Sequence, residues 1–152
     1  MSYNRNLAVE YALAWALNRN PKYYDYENIG GDCTNFVSQC LYAGTSKMNF
    51  RNYGWYYFNA NNKSPSWAGA KFFYEFLIKN VHEGPKGKII NRNMAQIGDV
   101  IFLSFDNIEY SHCMIITKII NNQIYICCHS IDSKNRNLNS YVYKDIKFIS
   151  IS

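Results

Sequence analysis

Residues 30–38 read Gly30-Gly31-Asp32-Cys33-Thr34-Asn35-Phe36-Val37-Ser38, and this run commits the chain to a buried helix entered through a tight glycine turn. Phe36, Val37, Cys40 and Leu41 fall at the three-and-four spacing of an apolar stripe, and Ala43-Gly44 reads as its stop. Asp32 stands where an N-cap belongs, and the two glycines permit the sharp entry. Cys33 therefore occupies the first helical turn. Unpaired backbone N–H groups and the positive end of the helix dipole stabilise a thiolate there and lower its pKa. Read alone, the segment fits a structural cysteine at a capped helix start better than a nucleophile, because free cysteines are mostly buried and inert.

A nucleophilic cysteine needs a base, and the chain has three histidines, His82, His112 and His129. His82 falls in a loop-like stretch. The other two flank a pair of apolar runs, His112–Ile120 and Gln123–His129, joined by Asn121-Asn122, which reads as a hairpin following a first strand in Gly98–Phe105. With the turn centred between the asparagines, His112 faces position 131 and His129 lies two residues away. Parity then puts both imidazoles on one face of the sheet. On this register His129 is the partner expected to orient His112, with Asp132 second, and a Cys-His pair with a third polar group is the arrangement acyl transfer needs.

At this point the residues resemble a known family. Asp32-Cys33-Thr34-Asn35-Phe36-Val37 is similar to the Asp-Cys-Ser-Gly-Phe-Val signature of NlpC-type cell-wall cysteine peptidases, and Gly98-Asp99-Val100-Ile101-Phe102 to their Gly-Asp-Leu-Val-Phe strand. The likeness is closer to the bacterial putative amidase domain family, through an N-terminal helix, Asn20-Pro21-Lys22-Tyr23, Gly30 to Gln39, and His129-Ser130. It runs from Tyr3 to Asp132. The resemblance implies a papain-like α+β fold with helices packed on an antiparallel sheet, and a cysteine amidase or peptidase acting on peptidoglycan peptides or a related amide. Cys33 is then nucleophile, His112 general base and His129 the third member. In NlpC-type enzymes the aspartate before the cysteine helps recognise a substrate amine, a role implied for Asp32 beside its role as a cap. Thr34 and Asn35 depart from the usual Ser and Gly, which bears on wall-peptide specificity.

The Cys33 backbone N–H at the helix start is a ready oxyanion donor, and Tyr26 or Asn28 upstream are candidates for a second. The aromatic stretch Met48–Trp67 has little period, and Trp55 and Tyr56 are assigned to the cleft wall. Ser66 is expected to cap a helix whose stripe is Phe72, Phe73, Phe76 and Leu77. Ser133–Asn139 reads as turn, and Tyr141–Tyr143 and Phe148–Ile151 as closing strands.

Composition narrows the remaining choices. With 152 residues, 48% hydrophobic and 18% charged, the chain can bury a core, and with no repeat or linker one domain over residues 1–152 is expected. No apolar run reaches membrane-spanning length. Glu10 interrupts the N-terminal apolar stretch, so it reads as an integral helix running to Arg19 rather than a signal peptide. That points to the cytoplasm, to export by a route the chain does not encode, or to a fragment of a longer exported chain. Five cysteines, an odd number with Cys127 and Cys128 adjacent, describe no disulfide framework. A zinc site from Cys113, Cys127, Cys128 and His129 lacks Cys-x-x-Cys spacing, so neither metal nor cofactor is expected. The net charge of +5 is spread over scattered lysines and arginines, which argues against nucleic acid as a partner and suits attraction to an anionic wall. A monomer acting on a peptide or amide is the expectation. An acyltransferase or transglutaminase on the same Cys-His pair, or a wall-binding module without turnover, are the alternatives.

Overall fold

The computed structural model describes residues 2–152. Helix α1 spans Arg5–Trp15 and α2 Cys33–Thr45; a small hairpin, β1 (Tyr57–Asn59) and β2 (Asn62–Lys63), leads into α3 (Pro65–Ala68) and α4 (Ala70–Lys79). The strands β3 (Gly87–Ile90), β4 (Val100–Ser104), β5 (His112–Ile120), β6 (Gln123–Cys128), β7 (Ser133–Asn137) and β8 (Asp145–Ile151) follow. They form one antiparallel sheet in the order β3-β8-β4-β5-β6-β7. Helices before an antiparallel sheet make the architecture α+β.

The central strands are apolar on both sides, and each side has its own core. Val100, Phe102, Cys113, Ile115, Cys127 and Ile149 meet Ala8, Ala12, Phe36, Val37, Cys40, Leu41 and Phe73 from the helices. Ile101, Leu103, Met114, Ile116, Ile126 and Cys128 meet Leu138 and Phe148 on the opposite face. Cys127 and Cys128 thus point to opposite faces, as adjacent strand residues must.

Helix α2 is buried almost all round, which explains why an apolar stripe alternates with polar residues that are equally hidden. Each polar group has a partner. Asn35 donates to the Tyr24 carbonyl at 2.8 Å and accepts from the Trp67 indole at 3.0 Å. Ser38 donates to the Trp67 carbonyl at 2.9 Å and accepts from the Trp55 indole at 3.0 Å, and the Gln39 amide oxygen accepts from Tyr11 at 2.5 Å. A buried polar group left alone costs about 1–3 kcal/mol, so these pairs fix which elements lie against the helix. Gly98-Asp99 ties the N-terminus to the sheet in the same way. The fully buried Asp99 carboxylate accepts from Arg5 at 2.6 Å and from the backbone N–H groups of Gln96 and Ile151 at 2.9 and 3.1 Å.

Several sequence expectations are corrected. Helix α1 ends at Trp15 rather than Arg19. Trp55 is fully buried among Trp67 and Phe76, with its indole N–H satisfied by Ser38, so it is core and not cleft wall. Tyr56 joins Phe50 and Phe58 in a partly exposed aromatic cluster. Ser66 lies inside α3 and bonds the Gly54 carbonyl instead of capping, and Phe72 is turned outward while Phe73, Phe76 and Leu77 are buried. Ser133–Asn137 forms the edge strand β7, whereas Tyr141–Tyr143 lies outside any strand. Polar edge residues carry no apolar period, and exposed aromatics imitate one.

Candidate active site

Glycines at 30 and 31 adopt φ of +86° and +97°, values an L side chain resists, and a Cβ on Gly31 would lie 3.2 Å from Ser130 Oγ. This turn delivers Cys33 to the first position of α2. The residue is 8% exposed and its Sγ lies 3.7 Å from Thr34 Oγ1 and 4.0 Å from the Ser111 carbonyl. His112, the first residue of β5, is 7% exposed and stands between the rings of Phe105 and Tyr141, with centroids 6.3 and 6.2 Å away.

Cys33 makes no aligned hydrogen bond to the His112 ring, yet the two groups are close enough to set each other's ionisation. The Cys33 thiol is held well below its ordinary value, first by hydrogen bonding from Cys113 and then, against the opposing effect of burial, by the hydrogen-bonding capacity and charge of His112. Burial works against a charge on His112, but the thiols of Cys128 and Cys33 outweigh it and raise the imidazole to about 9. The two shifts run in opposite directions, each favouring the charged form of its group.

His129 sits elsewhere. Its Nδ1 is 2.5 Å from Asp32 Oδ2, its Nε2 is 2.9 Å from the Trp15 carbonyl, and its ring stacks on Phe36 at 4.1 Å. The reason is a bulge. Near the turn β5 and β6 pair as expected, Ile120 with Gln123 and Lys118 with Tyr125, but beyond Thr117 the register becomes Ile116 with Ile126 and Ile115 with Cys127. The extra residue, Thr117, donates to Asn135 Oδ1 at 2.7 Å. One inserted residue reverses parity for everything beyond it. Continuing the pairing sets His129 across from Cys113, on the helix face, and leaves Cys128 on the side of His112. The structure therefore brings Cys33 and His112 together and does not bring His129 to His112. Cys128 fills that place, its Sγ 3.3 Å from the Tyr141 hydroxyl and 3.6 Å from the Ile131 carbonyl.

Asp32 is fully buried and makes no side-chain cap to its helix. Its Oδ1 accepts from Tyr26 N and Asn35 Nδ2, both at 2.9 Å, and its Oδ2 takes His129. With both oxygens engaged, the carboxylate presents nothing to a substrate amine. Asp132, the second orienting candidate, pairs with Arg19 at 2.8 Å. Arg19 is the residue the sequence did not single out: it joins Asp25, Glu27, Asp32 and Asp132 and lies 3.2 Å from His129. A lone arginine following α1, with acids clustered at 25, 27 and 32, was the available signal. His82 lines a different cavity, of about 570 Å³, with Tyr53, Phe72 and Phe76.

Tyr26, on the loop before Cys33, has the one buried side-chain oxygen or nitrogen without a partner among the described residues. Its phenol is pushed up to about 12, chiefly by burial, so it is a donor at ordinary pH. Asn28 is exposed.

The sequence matches the family described as "Putative amidase domain" over residues 2–151. The chain belongs to that family. Two curated proteins of Bacillus subtilis (strain 168) are similar to it. The uncharacterized protein YhbB is 31% identical over 139 residues, covering 88% of this chain and 43% of that protein. The uncharacterized protein YjcM is 30% identical over 143 residues, covering 88% of this chain and 32% of that protein. The chain thus spans less than half the length of these relatives. No solved structure matches. No helix among the described residues is long and apolar enough to cross a membrane.

Proposed function

We propose that this amidase-family chain, acting as one domain over residues 1–152, is a cysteine amidase or peptidase with a papain-like, NlpC-type fold. The observation that carries the reading is the pairing of an acidified Cys33 at the start of α2 with a His112 of raised pKa at the start of β5. Two further features support it: the chain order of nucleophile helix followed by base on an antiparallel sheet, and the family's description as an amidase.

In this mechanism the Cys33 thiolate attacks the amide carbonyl carbon. The developing oxyanion is held by the Cys33 backbone N–H, free at the helix start, and by the Tyr26 hydroxyl. His112, already protonated, gives its proton to the leaving amine, and the neutral imidazole then takes a proton from the water that releases the acyl group. Phe105 and Tyr141 are the aromatic neighbours of the ring.

The substrate class we favour is the peptide of bacterial wall, supported by the resemblance of the nucleophile and strand motifs and by a net charge of +5, which attracts the chain to an anionic polymer. The test is incubation of the protein with wall-derived peptides and other amides, with products read by mass spectrometry in the presence and absence of an added amine. Hydrolysis that depends on Cys33 supports the reading. Products carrying the added amine would move the chain to acyl transfer, and intact substrate with saturable wall binding by Cys33→Ala would make it a binding module.

A further inference from the structure

Cys33 is one of two thiols at the head of α2, and the mechanism uses only one of them. Cys113, next along β5 from His112, faces the helix and is fully buried. Thr34 Oγ1 bridges the pair, lying 3.7 Å from Cys33 Sγ and 3.5 Å from Cys113 Sγ. A single hydroxyl therefore connects the two sulfurs. Cys128 lies on the other face of the sheet, beside Tyr141, and all five cysteines are free.

We infer that Cys33 and Cys113 form a reversible disulfide when the protein meets a hydroperoxide, making this pair an oxidation site in which Cys113 protects the reactive thiol. The inference rests on Cys33 being the reactive thiolate of the proposed function. The cleft-facing thiolate attacks the nearer peroxide oxygen; the O–O bond breaks, hydroxide or alkoxide leaves, and Cys33 becomes a sulfenic acid. The Cys113 sulfur then attacks the Cys33 sulfur, the S–O bond breaks, and water leaves with the Cys113 proton. Sulfur is oxidised, the peroxide is reduced, and two equivalents of an external thiol reverse the change.

Accessibility and acidity divide the roles. Cys33 keeps 8% of its surface exposed and Cys113 none. Burial and the neighbouring Cys33 hold Cys113 protonated, well above the ordinary thiol value, so it does not meet peroxide first. Once Cys33 has lost its charge that repulsion disappears, and the buried sulfur is the neighbour positioned to attack. The disulfide blocks turnover and also prevents further oxidation of Cys33 to the sulfinic acid, which ordinary thiols do not reverse.

The experiment treats the folded protein with one equivalent of hydrogen peroxide and follows iodoacetamide alkylation of Cys33, intact mass, and non-reducing tryptic peptides. Cys33, Cys113 and Cys128 fall in separate peptides, residues 23–47, 93–118 and 119–134. The expected result is a mass loss of two hydrogens, a cross-link between peptides 23–47 and 93–118 assigned to Cys33 by fragmentation, and full return of alkylation with dithiothreitol. In Cys113→Ser, and in Cys113→Ala should the hydroxyl perturb packing, the cross-link is absent; with the peroxide raised to about ten equivalents, because each sulfinic acid consumes two, recovery by dithiothreitol falls about tenfold below wild type as sulfinic acid accumulates. Rapid alkylation of the untreated protein with no cross-link, or a cross-link to peptide 119–134, overturns the pairing while leaving the nucleophile reading intact. Slow alkylation together with inertness to peroxide defeats both.

Discussion

His112 opens β5 and His129 directly follows the end of the adjacent β6, in opposite company. His129 is consumed by structure: Asp32 holds one ring nitrogen, the Trp15 carbonyl and Arg19 approach the other, and Phe36 covers its face. His112 has aromatic walls, and the groups acting on its ring are the thiols of Cys128 and Cys33. A ring whose nitrogens are both committed cannot shuttle protons without breaking its surroundings. One bordered by a thiolate can. Histidine identity and proximity to a hairpin are therefore poor guides to a base, whereas the partners left available to the ring are informative.

The largest effect expected from this contrast is on turnover. Cys33→Ala removes amide cleavage, and His112→Ala lowers kcat/KM by about 10²–10⁴-fold, the usual worth of a positioned acid–base group. Hydrolysis kinetics on an accepted substrate check this, and near-normal rates in His112→Ala would break the comparison.

On the His129 side the expected loss is in stability. Asp32→Ala leaves His129 and Arg19 without their buried partner and costs about 3–5 kcal/mol, read as a lower urea midpoint. A midpoint unchanged from wild type would mean that the cluster does not hold the fold. Gln substitution at His129 keeps one polar contact and lowers the midpoint less.

The pH profile sharpens the division further. In the proposed mechanism, turnover needs Cys33 deprotonated and His112 protonated. The acid limb therefore lies below the ordinary thiol value of ~8.5, because the Cys33 pKa is depressed, and activity falls again as pH rises through about 9, where His112 loses its proton. Cys128→Ala removes one of the groups that raise His112, so the alkaline limb moves to lower pH. His129→Gln leaves that limb in place. An alkaline limb that follows His129 and ignores Cys128 would reverse the assignment.

The motif helix and the Asn121-Asn122 hairpin were legible because each is written locally, in apolar period, glycines and turn residues. The role of His129 was not, because it depends on Thr117. Threonine is an ordinary strand residue, and its bulge is held by Asn135, eighteen residues on, within a strand whose polar composition looks like a turn. Asp32 misled for a related reason. Its position is that of a cap, but its carboxylate is recruited by His129 and by backbone from a loop whose course the helix pattern does not encode. Trp55 was placed on the cleft because aperiodic aromatics resemble a wall, while its indole is fixed by Ser38, a polar residue that an amphipathic reading would turn outward.

The most direct measurement is the pH dependence of iodoacetamide alkylation at Cys33, read by peptide mass spectrometry in wild type, His112→Ala and His129→Gln. The account predicts fast alkylation below neutral pH in wild type and in folded His129→Gln, lost in His112→Ala. Slow alkylation in all three with an ordinary thiol pKa near ~8.5, or a loss confined to His129→Gln, would contradict it.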